Sequence, residues 1–230
     1  MLSRSVTLEA ASEIDITGVT RRLEATAPES TVFAFSRGPR TFVGATPERL
    51  VRLEGRELRT VAMAGSARRS GDPAEDEALA ERLLASDKER EEHTVVVDMM
   101  REALTPVAQE LSIPRTPDVA RFRHVQHLVT PISGRLTDDA DVLTLVERLH
   151  PTPAVGGTPR ELALELIAEE EPHERGWYAG PVGWIDRHGD GEFVVALRSG
   201  VIDGATATLF AGCGIVADSD PEREWDESSA

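Results

Sequence analysis

Alternating apolar runs cut by tight turn signals fill both ends of this chain, and a stretch of helical periodicity fills its middle. The first third reads as strands over residues 31–36, 40–44, 49–54 and 57–63. Connections as short as Arg37-Gly38-Pro39 and Glu54-Gly55-Arg56 make these antiparallel hairpins. From residue 73 to about 111, Leu79, Leu83, Val96, Met99 or Met100, Ala103, Val107 and Leu111 recur at three-to-four-residue spacing, the mark of a helix that Pro106 kinks or ends. A strand over 121–129, a helix over 138–149 opened by aspartates, and a helix over 160–169 follow. The last third returns to strands over 181–186, 192–199 and 207–211, with His188-Gly189-Asp190-Gly191 as a hairpin turn and an acidic, partly helical tail in the 220s. Strand-rich ends around a helical middle imply one α+β domain over 1–230 whose terminal strands meet. No Gly/Ser-rich linker divides it.

Composition narrows the classes of function. At 230 residues, 40% hydrophobic and 29% charged, the chain can bury a sizeable core and reads as an ordinary soluble protein. No apolar run approaches the roughly 20 residues of a membrane helix, and the N-terminus shows no secretory pattern. Cys213 is the single cysteine, which excludes an internal disulfide, fits a reducing cytoplasm and argues against a Cys/His zinc site. A net charge of −16, from 25 Lys+Arg against 41 Asp+Glu, repels nucleic-acid backbones and anionic lipid. A small anionic substrate would need help from a metal ion or arginines. Nothing demands a protein partner, so a monomer is expected.

Two acidic segments stand out: Glu89-Arg90-Glu91-Glu92-His93 and Glu222-Arg223-Glu224-Trp225-Asp226-Glu227. Glu89 and Glu92 are spaced i,i+3, as are Glu224 and Glu227, so on helices each pair shares a face. Four carboxylates gathered together would need a divalent cation, and an oxygen-rich site suits Mg²⁺. By spacing alone, solvated acidic faces are the simpler reading.

Eight phrases in order change that balance. They are Phe42-Val43-Gly44-Ala45-Thr46-Pro47-Glu48, Ala64-Gly65-Ser66-Ala67-Arg68-Arg69, Leu84-Ala85-Ser86-Asp87-Lys88-Glu89 running into Glu92-His93, and His127-Leu128-Val129-Thr130. The others are His150-Pro151-Thr152-Pro153-Ala154-Val155-Gly156-Gly157-Thr158-Pro159, Tyr178-Ala179-Gly180-Pro181-Val182-Gly183-Trp184, Ala196-Leu197-Arg198 and Ala211-Gly212-Cys213-Gly214-Ile215-Val216. Together they resemble the chorismate-binding catalytic domain shared by isochorismate, salicylate, anthranilate and aminodeoxychorismate synthases. The resemblance implies an antiparallel-sheet-rich, anthranilate synthase component I-like α+β fold with helices packed outside the sheets.

It also implies roles. Glu92 and Glu227 become direct Mg²⁺ ligands, with Glu89 and Glu224 holding metal-bound waters or completing the shell, and Glu91 and Glu222 solvated. Glu48 takes the general-acid position, protonating the departing 4-hydroxyl of chorismate, which requires burial or a neighbouring carboxylate to keep it protonated. Arg198, read as lying on the strand over 193–199 on the same face as Val194 and Ala196, would grip the enolpyruvyl carboxylate together with Tyr178. Gly65, Ser66, Gly212 and Gly214 would be backbone approach points to substrate, and His127 would line the pocket; the plainer alternatives are a turn or bulge for each glycine, a core histidine for His127, a structural salt bridge for Arg198 and a strand-end glutamate in a turn for Glu48. Cys213 reads as packing, not as a nucleophile.

The branch suggested by Gly65-Ser66, by 150–159 and by 178–184 is isochorismate synthase of the menaquinone or siderophore type: water adds at C2 and hydroxyl leaves from C4. Salicylate synthase and anthranilate synthase component I are the alternatives. By resemblance, the family's water-activating lysine falls two positions before Met1 and another lysine just after Ala230; Lys88, the single lysine here, belongs to the acidic helix. The resulting expectation is a chain truncated at both ends, its fold incomplete, with little isomerase activity as written. A non-catalytic remnant that binds chorismate is the reading from another class, and an acidic interaction module is a third.

Overall fold

The computed structural model describes residues 1–122, 125–216 and 219–228, the side chains of Arg223 and Glu227 excepted. β1 (Leu2–Glu9), α1 (Ile16–Thr26), β2 (Thr31–Arg37), β3 (Arg40–Thr46), β4 (Arg49–Glu54) and β5 (Glu57–Arg68) lead into α2 (Pro73–Ala85) and α3 (Asp87–Leu104). Next come β6 (Ala108–Ser112), β7 (Asp118–Arg121), β8 (Val125–Leu136), α4 (Val142–Leu149), α5 (Pro153–Gly156) and α6 (Arg160–Glu170). β9 (Pro181–Ile185), β10 (Gly191–Val195), β11 (Ser199–Asp203), β12 (Thr206–Cys213) and α7 (Pro221–Glu227) close the order. The fold is α+β. Among the described residues no helix is long and apolar enough to cross a membrane.

Two compact units form, each assembled from separated stretches of chain. The first comprises Met1–Glu48, His150–Val182 and Val194–Ala230. Its five-stranded sheet runs β1-β12-β11-β3-β2, with antiparallel neighbours throughout. The two ends of the chain therefore meet as expected, Leu2 opposite Cys213 and Glu9 opposite Thr206. One sheet face buries Val43, Ile202 and Ala207 under Ile14, Ile16, Val19 and Leu23 of the α1 segment. Another core cluster gathers Phe33, Phe42 and Ala196, with the two rings 5.3 Å apart.

The second unit comprises Arg49–Leu149 and Gly183–Phe193 and is built on a sheet ordered β6-β8-β5-β4-β10-β9, with β7 also paired to β8. β8 alternates strictly, burying Gln126, Leu128, Thr130, Ile132 and Leu136. α2 and α3 pack on β5 and β8, bringing Leu83, Val97, Met100 and Leu104 into the core.

Several elements differ from the sequence expectation, each for a local reason. The helix expected from 73 to 111 is two helices broken at Ser86, whose backbone is extended and whose hydroxyl accepts from the Glu89 N–H at 3.4 Å. Ser86-Asp87-Lys88-Glu89 is a capping sequence, and the apolar period continues across it, so periodicity alone does not see the break. Val107 and Leu111 fit the helical spacing, yet α3 ends at Leu104, ahead of Pro106, and Leu111 lies in β6. The strand expected over 121–129 is the hairpin of β7 and β8. The strand expected over 192–199 stops at Val195, where Leu197 N–H turns back onto Val195 O at 2.7 Å. β1, α1 and β11 have no counterpart in the sequence expectation, although Ile16, Val19 and Leu23 of α1 keep helical spacing.

Candidate active site

Glu48 is fastened by its backbone on both sides. Thr46, at the end of β3, donates its hydroxyl to Val195 O at 2.6 Å and accepts from the Glu48 N–H at 3.2 Å. The Glu48 carbonyl accepts from the Val195 N–H at 2.9 Å. The side chain is partly buried, and burial pushes its carboxyl above the usual range; a hydrogen bond from the Thr152 hydroxyl at 3.3 Å opposes that rise without cancelling it. A carboxyl held this way keeps its proton to higher pH than a surface glutamate and can act as an acid.

The remaining expected residues of this unit are distributed around its sheet. Tyr178 is buried, and its ring stacks on Phe210 of β12 at 5.0 Å and 13°. Burial raises the pKa of its phenol, so it stays neutral. Arg198 needs correction: it does not lie on a strand beside Val194 and Ala196. It sits between β10 and β11 at φ 49°, exposed, with its carbonyl accepting from the Ala45 N–H at 3.2 Å. The chain passes here from β10 to β11, which belong to different sheets, and the left-handed residue lies in that connection.

Gly212 is crowded from a direction the sequence did not suggest. A Cβ there would lie 2.7 Å from Leu2 O and 3.2 Å from Ser3 Cα, so close pairing with β1 demands a glycine. Gly214 has open space around it. Glu224 opens the last helix, its N–H donating to Asp220 O at 3.1 Å. With Leu2, Arg4, Gly212, Cys213 and Trp225 it lines a cleft of about 360 Å³. The Arg4 guanidinium lies 4.3 Å from the Trp225 ring centroid and donates to Ser228 O at 3.1 Å, tying α7 to β1. Glu222 is exposed, and the side chain of Glu227 lies outside the described residues.

Another unit-one network surrounds the start of β1. The Glu171 carboxylate accepts from Ser3 N–H at 2.7 Å, from the Ser3 hydroxyl at 2.9 Å and from Arg175 Nε at 2.8 Å. Arg175 Nη1 donates to Val155 O in α5 at 2.8 Å. Burial would raise the Glu171 carboxyl, but the bonds from Arg175 and Ser3 overcome it and hold the group below the ordinary glutamate range.

In the second unit, four expected residues converge. β5 bulges between Ala64 and Ser66 against β8, and Gly65 sits there at φ 76°. The Ser66 N–H donates to Glu89 Oε2 at 3.0 Å, and the Ser66 hydroxyl meets His127 Nδ1 at 2.9 Å. His127 Nδ1 also faces Gly65 O at 3.3 Å. Glu92, one helical turn beyond Glu89, is exposed and 4.0 Å from Lys88 Nζ; Glu91 is exposed too. Behind them His93 is buried between Ala64 O at 3.3 Å and the Thr130 hydroxyl at 2.7 Å, fixing α3 to both strands. Burial lowers the pKa of this ring, which stays neutral.

Gly65 serves the backbone as much as any ligand. A Cβ would meet Glu89 Oε2 at 3.2 Å and Glu89 Cβ at 3.3 Å, and the left-handed φ adds strain. Gly65→Ala is expected to destabilise by about 1–2 kcal/mol. Urea unfolding checks this as a lower midpoint at unchanged slope.

Could these carboxylates hold a magnesium ion? Glu89 and Glu92 on α3 and Glu224 on α7 carry carboxylate oxygens, which suit a hard cation, and Glu227 follows Glu224 at i,i+3 on the same helical backbone. Among the described residues no group of three or more His, Cys, Asp or Glu converges as a metal site by itself. The donor chemistry fits; each pair alone is an incomplete shell.

Sequence reasoning did not single out Thr152, Glu171, Arg175 or Arg4. Thr152 sits inside a recognisable phrase, but a threonine before a proline at a helix start reads as a cap. Its partner lies 104 residues away.

Comparison with known proteins adds independent findings. A sequence family described as chorismate binding enzyme matches residues 1–230. A salicylate biosynthesis isochorismate synthase of Pseudomonas aeruginosa is 49% identical over 200 residues, covering 87% of this chain and 42% of that protein. An isochorismate synthase of Bacillus subtilis is 44% identical over 228 residues, covering 99% of this chain and 48% of its own length. The solved structure of the menaquinone-specific isochorismate synthase of Escherichia coli aligns with a TM-score of 0.89 at 37% identity, over 99% of this chain and 53% of that one. The chain spans about half the length of these relatives.

Proposed function

This chain belongs to the family of chorismate-binding enzymes, and from that premise we propose that it carries the conversion of chorismate to isochorismate. The single observation that carries the reading is Glu48, a partly buried carboxyl whose pKa burial raises; it stands where the resemblance puts the general acid, in a chain whose residues 1–230 match the family. In the reaction a water gives up a proton to a general base and adds at C2, while the 4-hydroxyl, protonated by Glu48, departs as water, so no oxidant or reductant is required. Glu48 delivers the proton that makes the hydroxyl a competent leaving group.

The other roles are assigned on the same basis. The exposed Arg198 guanidinium and the neutral Tyr178 phenol bind the enolpyruvyl carboxylate, the arginine by its planar fork. Ser66 and His127 orient the ring, held to each other and to the Gly65 bulge. Glu92 and Glu227, supported by Glu89 and Glu224, would hold Mg²⁺, which when bound neutralises these acids together with the ring carboxylate of the substrate. In a protein of net charge −16, a substrate of two carboxylates needs such compensation.

Product identification tests the proposal. The purified gene product, given chorismate and Mg²⁺, is expected to form isochorismate on chromatography and to lose that activity with EDTA. Salicylate with pyruvate, or anthranilate when ammonia is supplied, would move the chain to a sister branch. Binding of chorismate without any product would leave a non-catalytic remnant.

A further inference from the structure

We infer that Thr152 is a positioning residue for Glu48, and that the Glu171–Arg175 pair keeps Thr152 in place by gripping the α5 turn. The inference rests on reading Glu48 as the proton donor.

The Glu48 backbone is fixed at its N–H and its carbonyl, which leaves the side-chain torsions as the remaining freedom. The hydroxyl of Thr152 restrains them at 3.3 Å from Oε1. Thr152 occupies the N-cap of α5, where a threonine ordinarily turns its oxygen back to its own helix. Here it makes no such bond, and its hydroxyl is directed to Glu48 instead. Capping falls to the backbone, with Thr152 O accepting from Val155 N–H at 3.1 Å and Gly156 N–H at 2.8 Å.

A four-residue turn cannot hold its own geometry, because helix nucleation is unfavourable at that length. An external clamp supplies the order. Arg175 Nη1 donates to Val155 O, and its other nitrogens are held by the Glu171 carboxylate, which is itself tied to Ser3 of β1. A continuous series of contacts runs from the sheet through the ion pair and α5 to Thr152 and Glu48.

This arrangement selects an oxygen. With Thr152 donating to Oε1, the proton of the neutral acid resides on Oε2, and that oxygen is the one presented to the leaving hydroxyl. Loss of such alignment in a proton transfer slows chemistry without weakening ground-state binding. Tyr178, within electrostatic reach of Glu48, stays neutral and does not compete.

Steady-state kinetics on Thr152→Val, Thr152→Ser, Arg175→Lys and the Thr152→Val/Arg175→Lys double variant, with Glu48→Gln alongside, test the inference. Thr152→Val is expected to lower kcat about tenfold with KM within about twofold, and Thr152→Ser to restore most of it. Arg175→Lys should lower kcat less, and the double variant no further than Thr152→Val alone. A carbon-13 titration of the Glu48 carboxyl, read without substrate, should move to higher pH in Thr152→Val and not in Thr152→Ser. An unchanged kcat and titration in a Thr152→Val protein of normal melting temperature would overturn the positioning role. Multiplying losses in the double variant would remove Arg175 from it. If Glu48→Gln kept full kcat, the proton-donor reading itself would fail, and the carbon-13 shift would still decide the contact.

Discussion

Glu48→Gln is expected to lower kcat for chorismate turnover by about 10²–10⁴-fold while the protein stays folded. The amide keeps the shape of the side chain and removes the proton it would deliver. Burial raises the Glu48 pKa, so ionising this group opposes folding. Its stability contribution is therefore full below the ordinary glutamate pKa and is lost as pH rises through the raised folded value. At neutral pH the glutamine variant should be at least as stable as the parent, an exchange of stability for function expected of catalytic groups. The parent's rate should fall as pH rises through the Glu48 titration, and the variant's residual rate should lack that limb. A pH–rate profile with thermal melts measures both; a variant with near-parental kcat would remove Glu48 from the chemistry.

Glu171→Gln is expected to cost about 3 kcal/mol of stability, because it leaves the Arg175 charge without its counter-ion. The pair is largely out of solvent, with side chains 3% and 17% exposed. That exposure separates it from surface pairs such as Arg40–Asp203, at 68% and 48%, which contribute little. The sign of the pH effect is opposite to that of Glu48. Hydrogen bonds hold the Glu171 carboxyl below its ordinary range, so its contribution is full above about pH 4.3 and drains as pH falls through the folded value. Urea unfolding between neutral and acid pH should show the parent losing stability on acidification more steeply than Glu171→Gln. A neutral-pH difference under about 1 kcal/mol would mean that water or another group already compensates Arg175.

Much of the candidate site was legible because its chemistry is written in short phrases. Glu48 follows Thr46-Pro47, and Ser66, Glu89 and His127 sit in recognisable segments that the fold joins by hydrogen bonds. Arg198 shows where such reading stops. Alternation through Val194, Ala196 and Arg198 suggested a strand face, but one tight turn at Leu197 reversed the outcome. Gly212 shows a different limit: it looked like room for a ligand, and a neighbouring strand supplies the reason for the missing side chain.

From the residues alone followed the α+β class, the hairpins of the first third, the meeting of the two chain ends and the kinship with chorismate-binding enzymes. These depend on periodicity, turn chemistry and ordered motifs, all of which act over a few residues or survive as pattern. Only the folded chain decided that Thr152 faces Glu48, that Arg175 grips α5, that Ser86 splits a helix and that Gly212 yields to β1. Those are contacts between stretches far apart in sequence, or choices between competing local geometries. Burial and partner geometry select among them, and neither exists until the sheets have formed.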